Sequence, residues 1–422
     1  MQAVILAAGF GSRMGGALPK PLKPLFGLPL IDHNIIKLRE IVGEENIIVV
    51  YSNKALADHI KERFPRIQLA FNSRPERENG YSLLFSEGLI KDNFILTMAD
   101  HYFSDDFISN LRLDSPNKAF VSRFCDDRDE ATKVKTEGIY ITDIGKTLKD
   151  YDYFDTGMFF CNKDIFPYIE KLSKEREIVK LSDVFGAMAK EKKLTYQLIE
   201  GYWIDIDTQS ELTKAERFIR NNLSKPTDGP VSKYINRKIS TLITPLLIGR
   251  IKPNTLTLIL SVMGIIPSIL MAYGHFFLGG ILTQLISSLD GCDGEIARIT
   301  HTKSRLGGVL DSTLDRYSDS LIFFCSFMPF SGLLEAKIAL LLTLAGTILI
   351  SYTSHLTGCR PRFITRDVRL LLVMIGGILS LIRPIYMLHT MLFIGIVSHI
   401  GVFFNLLSFA KKEKTTKQNF AL

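Results

Sequence analysis

Short apolar runs alternate with helical patterns over the first 225 residues, and long apolar runs take over from about residue 241. In the first half, "AVILAA", "NIIVVYS", "QLAFN", "NFILTMAD" and "KAFVSRF" predict strands. Several are continuously apolar, as in a sheet covered on both faces. Between them, "LIDHNIIKLREIV" and "NKALADHIKERF" carry helical spacing. That alternation predicts an α/β doubly wound, mainly parallel sheet. "SELTKAERFIRNNLSKPTDGP" then predicts a closing helix and a Ser/Pro/Gly linker, placing a boundary near Pro226–Pro230.

In the second half, "VSKYINRKISTLITPLLIGRIKPN" is apolar on one face and basic on the other, which predicts an amphipathic helix in a membrane interface. Six candidate spans follow, at about 254–273, 277–299, 305–330, 334–356, 367–383 and 385–409. Each approaches or exceeds the roughly 20 residues a bilayer crossing needs. The expected organisation is therefore a soluble domain (1–225), a linker and interfacial helix (226–253), an all-α six-span transmembrane domain (254–410) and a basic tail (411–422).

Charge refines this picture. The net charge of +7 could suggest nucleic acid, but the basic residues concentrate at Arg298–Arg305, Arg360–Arg369 and in "KKEKTTK". Those clusters alternate with nearly uncharged loops, as the positive-inside rule requires of a membrane protein with both ends in the cytoplasm. A lipid bilayer is thus the expected partner, and nucleic acid is not. The five cysteines form no CxxC pair, so neither a disulfide framework nor a zinc site is indicated. "MQAVILAAGFGSRMGG" lacks a basic n-region and reads as a buried strand rather than a signal peptide. The soluble half is accordingly expected in the cytoplasm.

Candidate chemistry appears first in "LDGCDGEIARITHTKSRLGGVLDSTLDRYSD", an acidic stretch between apolar runs. On helices, Asp290, Asp293, Gly294 and Ala297 share one face, and Gly307, Asp311 and Asp315 share another. The turn "THTKSRL" would let the two faces meet. Four unpaired carboxylates so close would repel, and divalent cations with oxygen ligands, Mg²⁺ or Mn²⁺, resolve that conflict. The small residues leave room for a bulky ligand, and Arg298 could neutralise a phosphate. An EF-hand fails, because "DGCDGE" lacks the alternating ligands and terminal glutamate. A proton or ion pathway would require neither the small residues nor Arg298.

This spacing resembles the signature of the CDP-alcohol phosphotransferase family, six-helix integral membrane enzymes, over about 231–409. The resemblance implies that Asp290, Asp293 and Asp311 hold metals. It makes Asp315 the base that takes a proton from the acceptor hydroxyl, with a further contact to metal. Glu295 and Asp319 fall outside the signature and read as structural. "KPNTLT" also resembles the family and makes Asn254 and Thr257 nucleotide-pocket candidates, together with Gly294, Ala297, Arg298 and Gly307. In "TGCRPRFITRDVR", Arg360, Arg362, Arg366 and Arg369 either set membrane orientation or, as a group, bind the phosphate of an anionic acceptor. Lys303 and Arg305 are weaker candidates of the same kind.

At the other end of the chain, "LAAGFGSRMGGALPKPL" lacks the third glycine of a dinucleotide fingerprint, where Met14 stands. It retains Gly9 and Gly11 to let backbone N–H groups reach phosphates, and Arg13 and Lys20 to neutralise them. Over about 1–220 it resembles the nucleotidyltransferase signature LxxGxGxRM…PKPL, which implies a Rossmann-like fold. By that resemblance Asp100 and Asp205 are metal carboxylates, and Asn79 and Gly80 lie where the base is read. Lys133, Lys146, Asp155 and Gly157 lie near the alcohol-phosphate pocket, although lysines of an exposed hairpin would look the same. Asp207 stands where many members have glycine, and its role is open. A DxD glycosyltransferase reading of "DID" competes, but leaves Arg13 and Lys20 unexplained.

A domain that makes an activated nucleotide, joined to one that consumes a CDP-alcohol, implies CTP as the nucleotide. Among fusions of this order, the chain resembles the bifunctional inositol-1-phosphate cytidylyltransferase/di-myo-inositol-phosphate phosphate synthase family. That resemblance implies CTP, inositol 1-phosphate and CDP-inositol as substrates, and a homodimer. A phospholipid synthase fed with CDP-choline or CDP-glycerol is the rival enzyme reading. A transporter or scaffold with a degenerate soluble domain is the rival of another class.

Overall fold

Nine strands form one sheet in the order Gln68–Phe71, Ile47–Tyr51, Gln2–Ala7, Phe94–Met98, Tyr153–Cys161, Lys118–Ser122, Thr195–Leu198, Tyr140–Gly145 and Lys133–Glu137. The computed structural model describes residues 1–9, 18–225 and 227–419, with side chains to 413. Gly11, Arg13 and Met14 lie outside the described residues. Two compact units divide the chain, Met1–Ile219 and Arg220–Leu422.

The first four strands of that order run parallel, with the helices Leu30–Val42 and Lys54–Arg63 as connections. Every residue of Gln2–Ala7 is buried, as expected of a strand covered on both faces. The mainly parallel sheet inferred from the apolar pattern holds for this part and for the pairing of Thr195–Leu198 with Lys118–Ser122. Beyond Phe94–Met98, Tyr153–Cys161 runs antiparallel to both its neighbours, and 133–145 forms a hairpin. The hairpin turns through Gly138 at φ +61°, so no crossover helix is needed and the strands reverse. Val4, Leu6, Ile48, Val50, Leu96 and Phe159 pack in the core, where the Phe159 and Phe185 rings stack at 3.9 Å.

The second unit is helical: Arg237–Leu247, Pro253–Met263, Ile265–Ala272, Phe276–Ile299, Arg305–Phe327, Leu334–Thr357, Arg366–Leu379 and Ile385–Asn419. Pro267 has no N–H for the Met263 carbonyl, which accounts for the interruption at Gly264. Among the described residues, three helical stretches are long and apolar enough to cross a membrane: Pro253–Ala272, Leu334–Thr357 and Ile385–Glu413. Phe276–Ile299 and Arg305–Phe327 are long enough but carry the acids, and the 14 residues of Arg366–Leu379 are short for a crossing.

The helix read as amphipathic turns its polar side inward. Asn236, Ser240, Thr241 and Thr244 are buried, whereas Leu242 and Leu246 are each 63% exposed. Arg237, read as part of a solvent-facing basic face, instead enters the unit. Its guanidinium donates to Asp228 (2.8 and 3.1 Å) and to Glu295 (2.7 Å). Glu295 is fully buried and also accepts from Ser240 (2.6 Å) and Thr244 (2.5 Å). A buried carboxylate needs such partners, which is why the basic residue is drawn in.

Candidate active sites

In the first unit, strand ends converge. Asp100 follows Phe94–Met98, and the short pairing of His101–Phe103 with Trp203–Asp205 sets Asp205 opposite His101. Ile206 N–H donates to the Asp100 carbonyl (3.0 Å), fixing that register. Lys20 opens the turn Lys20–Leu22, and its Nζ lies 2.7 Å from Asp100, 2.5 Å from Asp207 and 4.0 Å from Asp205. Burial alone would lower the Lys20 ammonium, but the three carboxylates outweigh it and hold it above its ordinary range. Burial likewise opposes ionisation of Asp100, yet Lys20 and His101 hold that carboxyl below its usual range. Burial pushes Asp205 up to about 6, reinforced by Asp100 and Asp207 against the pull of His101 and Lys20. His101, whose Nδ1 is 3.0 Å from Asp100, rises to about 9, because Asp205 and Asp100 overcome its burial.

These groups edge a cavity of about 680 Å³ that Gly9, Asn79, Lys146, Asp155 and Gly157 also line. Asp155 accepts from the Gly157 N–H (2.9 Å), and burial lifts its carboxyl to about 6. Gly157 adopts φ +76°, and a Cβ there would lie 2.4 Å from His101 Nε2, so only glycine fits. Ligand atoms of Asp100, His101 and Asp205 lie within 4.8 Å of one another, and the two carboxylates suit a hard divalent cation.

In the second unit, Phe276–Ile299 and Arg305–Phe327 present their acids to a cavity of about 400 Å³. Carboxylate oxygens of Asp290, Asp311 and Asp315 lie within 4.8 Å of one another, an all-oxygen set that fits Mg²⁺ or Mn²⁺. Asp293 lines the same cavity, and its carboxylate accepts from Thr257 Oγ1 (2.5 Å) and from the Gly294 N–H. Arg366 reaches into the cluster, with Nη1 at 2.7 Å from Asp290 and 3.0 Å from Asp315, and Nε at 3.1 Å from Asp319. Nε and Nη2 of Arg298 are buried without a hydrogen-bond partner.

Two family descriptions match the chain: the MobA-like NTP transferase domain over residues 3–188 and CDP-alcohol phosphatidyltransferase over residues 250–410. The bifunctional IPC transferase and DIPP synthase of Archaeoglobus fulgidus is 35% identical over 426 residues, covering 97% of this chain and 84% of that protein. The protein of the same description from Aquifex aeolicus is 34% identical, covering 91% and 93%. The chain belongs to the bifunctional IPC transferase and DIPP synthase family. It is an enzyme that combines a nucleotidyltransferase with a CDP-alcohol phosphotransferase. A solved structure, the inositol-1-phosphate CTP transferase from T. maritima, overlays with a TM-score of 0.47 at 24% identity, covering 53% of this chain and 98% of that one.

Against this family background, the residues singled out from sequence separate by position. Gly9, Lys20, Asn79, Asp100, Lys146, Asp155, Gly157 and Asp205 edge the first cavity. Asn79 Oδ1 also accepts from Leu181 N–H (2.9 Å). Gly80 does not line the cavity: its Cβ would lie 2.7 Å from the Lys180 carbonyl carbon, so it serves close backbone packing. Lys133 lies off the cavity and donates to the Lys146 carbonyl (3.2 Å). Asp290, Asp293, Gly294, Asp311, Asp315, Arg360 and Arg369 line the second cavity, and Arg362 is exposed outside it. Asn254, Thr257, Ala297, Arg298 and Gly307 are not among the lining residues, although Arg298 Nη1 lies 3.2 Å from where a Cβ on the lining residue Gly294 would be. A Cβ on Gly307 would meet Asn254 Oδ1 at 2.9 Å.

Three side chains went unassigned. His101 sits beside Asp100 in "ADH", and only the strand pairing reveals its second acid. Asp207, left open, holds Lys20. Asp319, read as structural, is the third carboxylate on Arg366, and its spacing of four from Asp315 puts both on one helix face.

Proposed function

We propose that the chain runs two reactions in series. CTP and inositol 1-phosphate give CDP-inositol and pyrophosphate. CDP-inositol and a second inositol 1-phosphate then give di-myo-inositol phosphate phosphate and CMP. The observation that carries this reading is that each unit gathers carboxylates around a cation at the edge of a cavity. Lys20 stands with Asp100, Asp205 and Asp207, and Arg366 with Asp290, Asp315 and Asp319.

In the first reaction a phosphate oxygen of inositol 1-phosphate attacks the α-phosphorus of CTP, and pyrophosphate leaves. Lys20, joined by Arg13, neutralises the triphosphate, and Gly9 and Gly11 bring backbone N–H groups to it. Lys146 and Asp155 position the alcohol phosphate. In the second reaction a hydroxyl of the acceptor attacks the β-phosphorus, and CMP leaves. Asp315 takes the hydroxyl proton, and Arg360 and Arg369 face the acceptor phosphate. Mg²⁺ or Mn²⁺, held by Asp100 and Asp205 in one site and by Asp290, Asp293, Asp311 and Asp315 in the other, would supply positive charge to the displaced phosphates.

In this reading six helical stretches cross the membrane, with both termini and both cavities on the cytoplasmic side, and the enzyme works as a homodimer. The outward-facing Leu242 and Leu246 support an interfacial seat for Arg237–Leu247. Incubation with CTP, Mg²⁺ and inositol 1-phosphate tests the chemistry. The reading requires CDP-inositol and pyrophosphate, followed by CMP and a water-soluble phosphodiester. A chloroform-soluble product would make the protein a phospholipid synthase instead.

A further inference from the structure

Lys225 precedes every residue of the segment 250–410 that matches the CDP-alcohol family and follows the segment 3–188 that matches the transferase. It nevertheless lines the second cavity, together with Asp290, Asp293, Gly294, Asp311 and Asp315. Its Nζ lies 3.6 Å from where a Cβ on Gly294 would be, and Arg298 Nη1 lies 3.2 Å from the same point. Two cations thus converge above Gly294, which lines the cavity beside the acids. No carboxylate among the described residues lies within ion-pairing distance of Lys225, and two nitrogens of Arg298 are buried without a hydrogen-bond partner. Burial, with Arg298 and Arg237 nearby, presses the Lys225 ammonium below its ordinary value, against the opposing pull of Asp228 and Asp311.

The backbone that carries Lys225 is held in place. Its own N–H donates to Asp228 (2.9 Å), and Asp228 is clamped by Arg237, which also holds Glu295 one residue from Gly294. Ser232 N–H donates to Asp367 (2.6 Å), and a Cβ on Gly229 would lie 2.2 Å from Asp367 Oδ1. The Lys225 side chain itself is exposed, so it is the backbone that fixes where its ammonium reaches.

We propose that Lys225 and Arg298 form a phosphate-binding pair of the phosphotransferase site, so that a segment outside either family domain completes it. The inference rests on the two-step reading above. The shared ligand chemistry is a phosphoryl group, supplied either by the diphosphate of the CDP-alcohol or by the phosphate of the acceptor.

The test uses the full-length enzyme in detergent with CDP-inositol and inositol 1-phosphate, reading CMP release for the wild type, Lys225→Met and Lys225→Arg. Loss of one charge-assisted contact predicts a KM about ten- to a hundredfold higher for one of the two substrates. kcat should stay within about threefold, and Lys225→Arg should recover most of the loss. A rise for CDP-inositol places the pair on the diphosphate, and a rise for inositol 1-phosphate places it on the acceptor. CTP-dependent pyrophosphate release should be the same in all three proteins, which controls for folding. If both KM values stay unchanged, or if kcat falls alone with no rescue by arginine, the inference is wrong. A wild type that releases no CMP would overturn the two-step reading itself, a distinguishable failure.

Discussion

Replacing Arg237 with methionine would test how tightly the segment before the helices is fastened. Methionine fills the space of the aliphatic stem and leaves Ser240 and Thr244 donating to Glu295. Among the described residues, it removes the only positive charge bonded to Glu295, which is fully buried, and to Asp228, which is 10% exposed. Arg237 is itself only 10% exposed, so solvent screens little of the pair. Breaking one side of a buried ion pair costs about 3–5 kcal/mol. Glu295→Gln in the same background removes the stranded charge but keeps an acceptor, and should return about 2 kcal/mol. Trp203, the single tryptophan, reports only on the first unit. The readout is therefore the thiol of Cys292, 1% exposed and beside the Ser240 carbonyl, labelled with maleimide and followed by peptide mass spectrometry. Local opening should speed labelling about a hundredfold or more in Arg237→Met, and the double variant should slow it again. Labelling within about threefold of the wild type, or a double variant worse than the single, would refute the reasoning.

Other substitutions separate the two sites. Asp315→Asn should abolish CMP release while Mg²⁺-dependent pyrophosphate release survives, and Lys20→Met should do the reverse when CDP-inositol is supplied. Gly157→Ala, strained at φ +76° and driven into His101, should lower cytidylyl transfer at least about tenfold with CMP release intact, by the same two assays. Asp155→Asn should stabilise the first unit in a pH-dependent way. The folded carboxyl titrates near 6 rather than at its ordinary 3.8, so below about pH 4 both states are protonated and the variant gains nothing. Between there and pH 6 the native state binds the extra proton and loses stability. Above pH 6 the variant should be more stable by up to about 3 kcal/mol. Trp203 fluorescence melts at pH 4 and pH 8 check the sign.

The five apolar strands and the acids in register were legible because burial on both faces and helical periodicity leave direct marks. Tyr153–Cys161 was not, although it crosses the centre of the sheet, because "YFDTGMFFC" breaks its apolar run at the residues that serve the cavity. Among four arginines, nothing in the spacing separates Arg366, on three acids, from Arg362, in solvent. Only the start of the helix at 366 decides which one turns inward. Glu295 lies on the face of its helix away from Asp290, and its partner stands 58 residues earlier, so no local pattern could announce it. Lys225 depends wholly on where the chain is folded back.

The fastening of Lys225, Asp228, Gly229 and Ser232 bears on any attempt to divide this enzyme into separately expressed halves. Composition invites a cut among the Ser, Pro and Gly residues at 226–230. A membrane half beginning at 226 would lack Lys225, and one beginning at 230 would also lack Asp228 and leave Arg237 holding Glu295 alone. Such a half would contain every residue of the CDP-alcohol signature and still be an impaired catalyst. A half starting at Arg220, where the second unit begins, retains all of them.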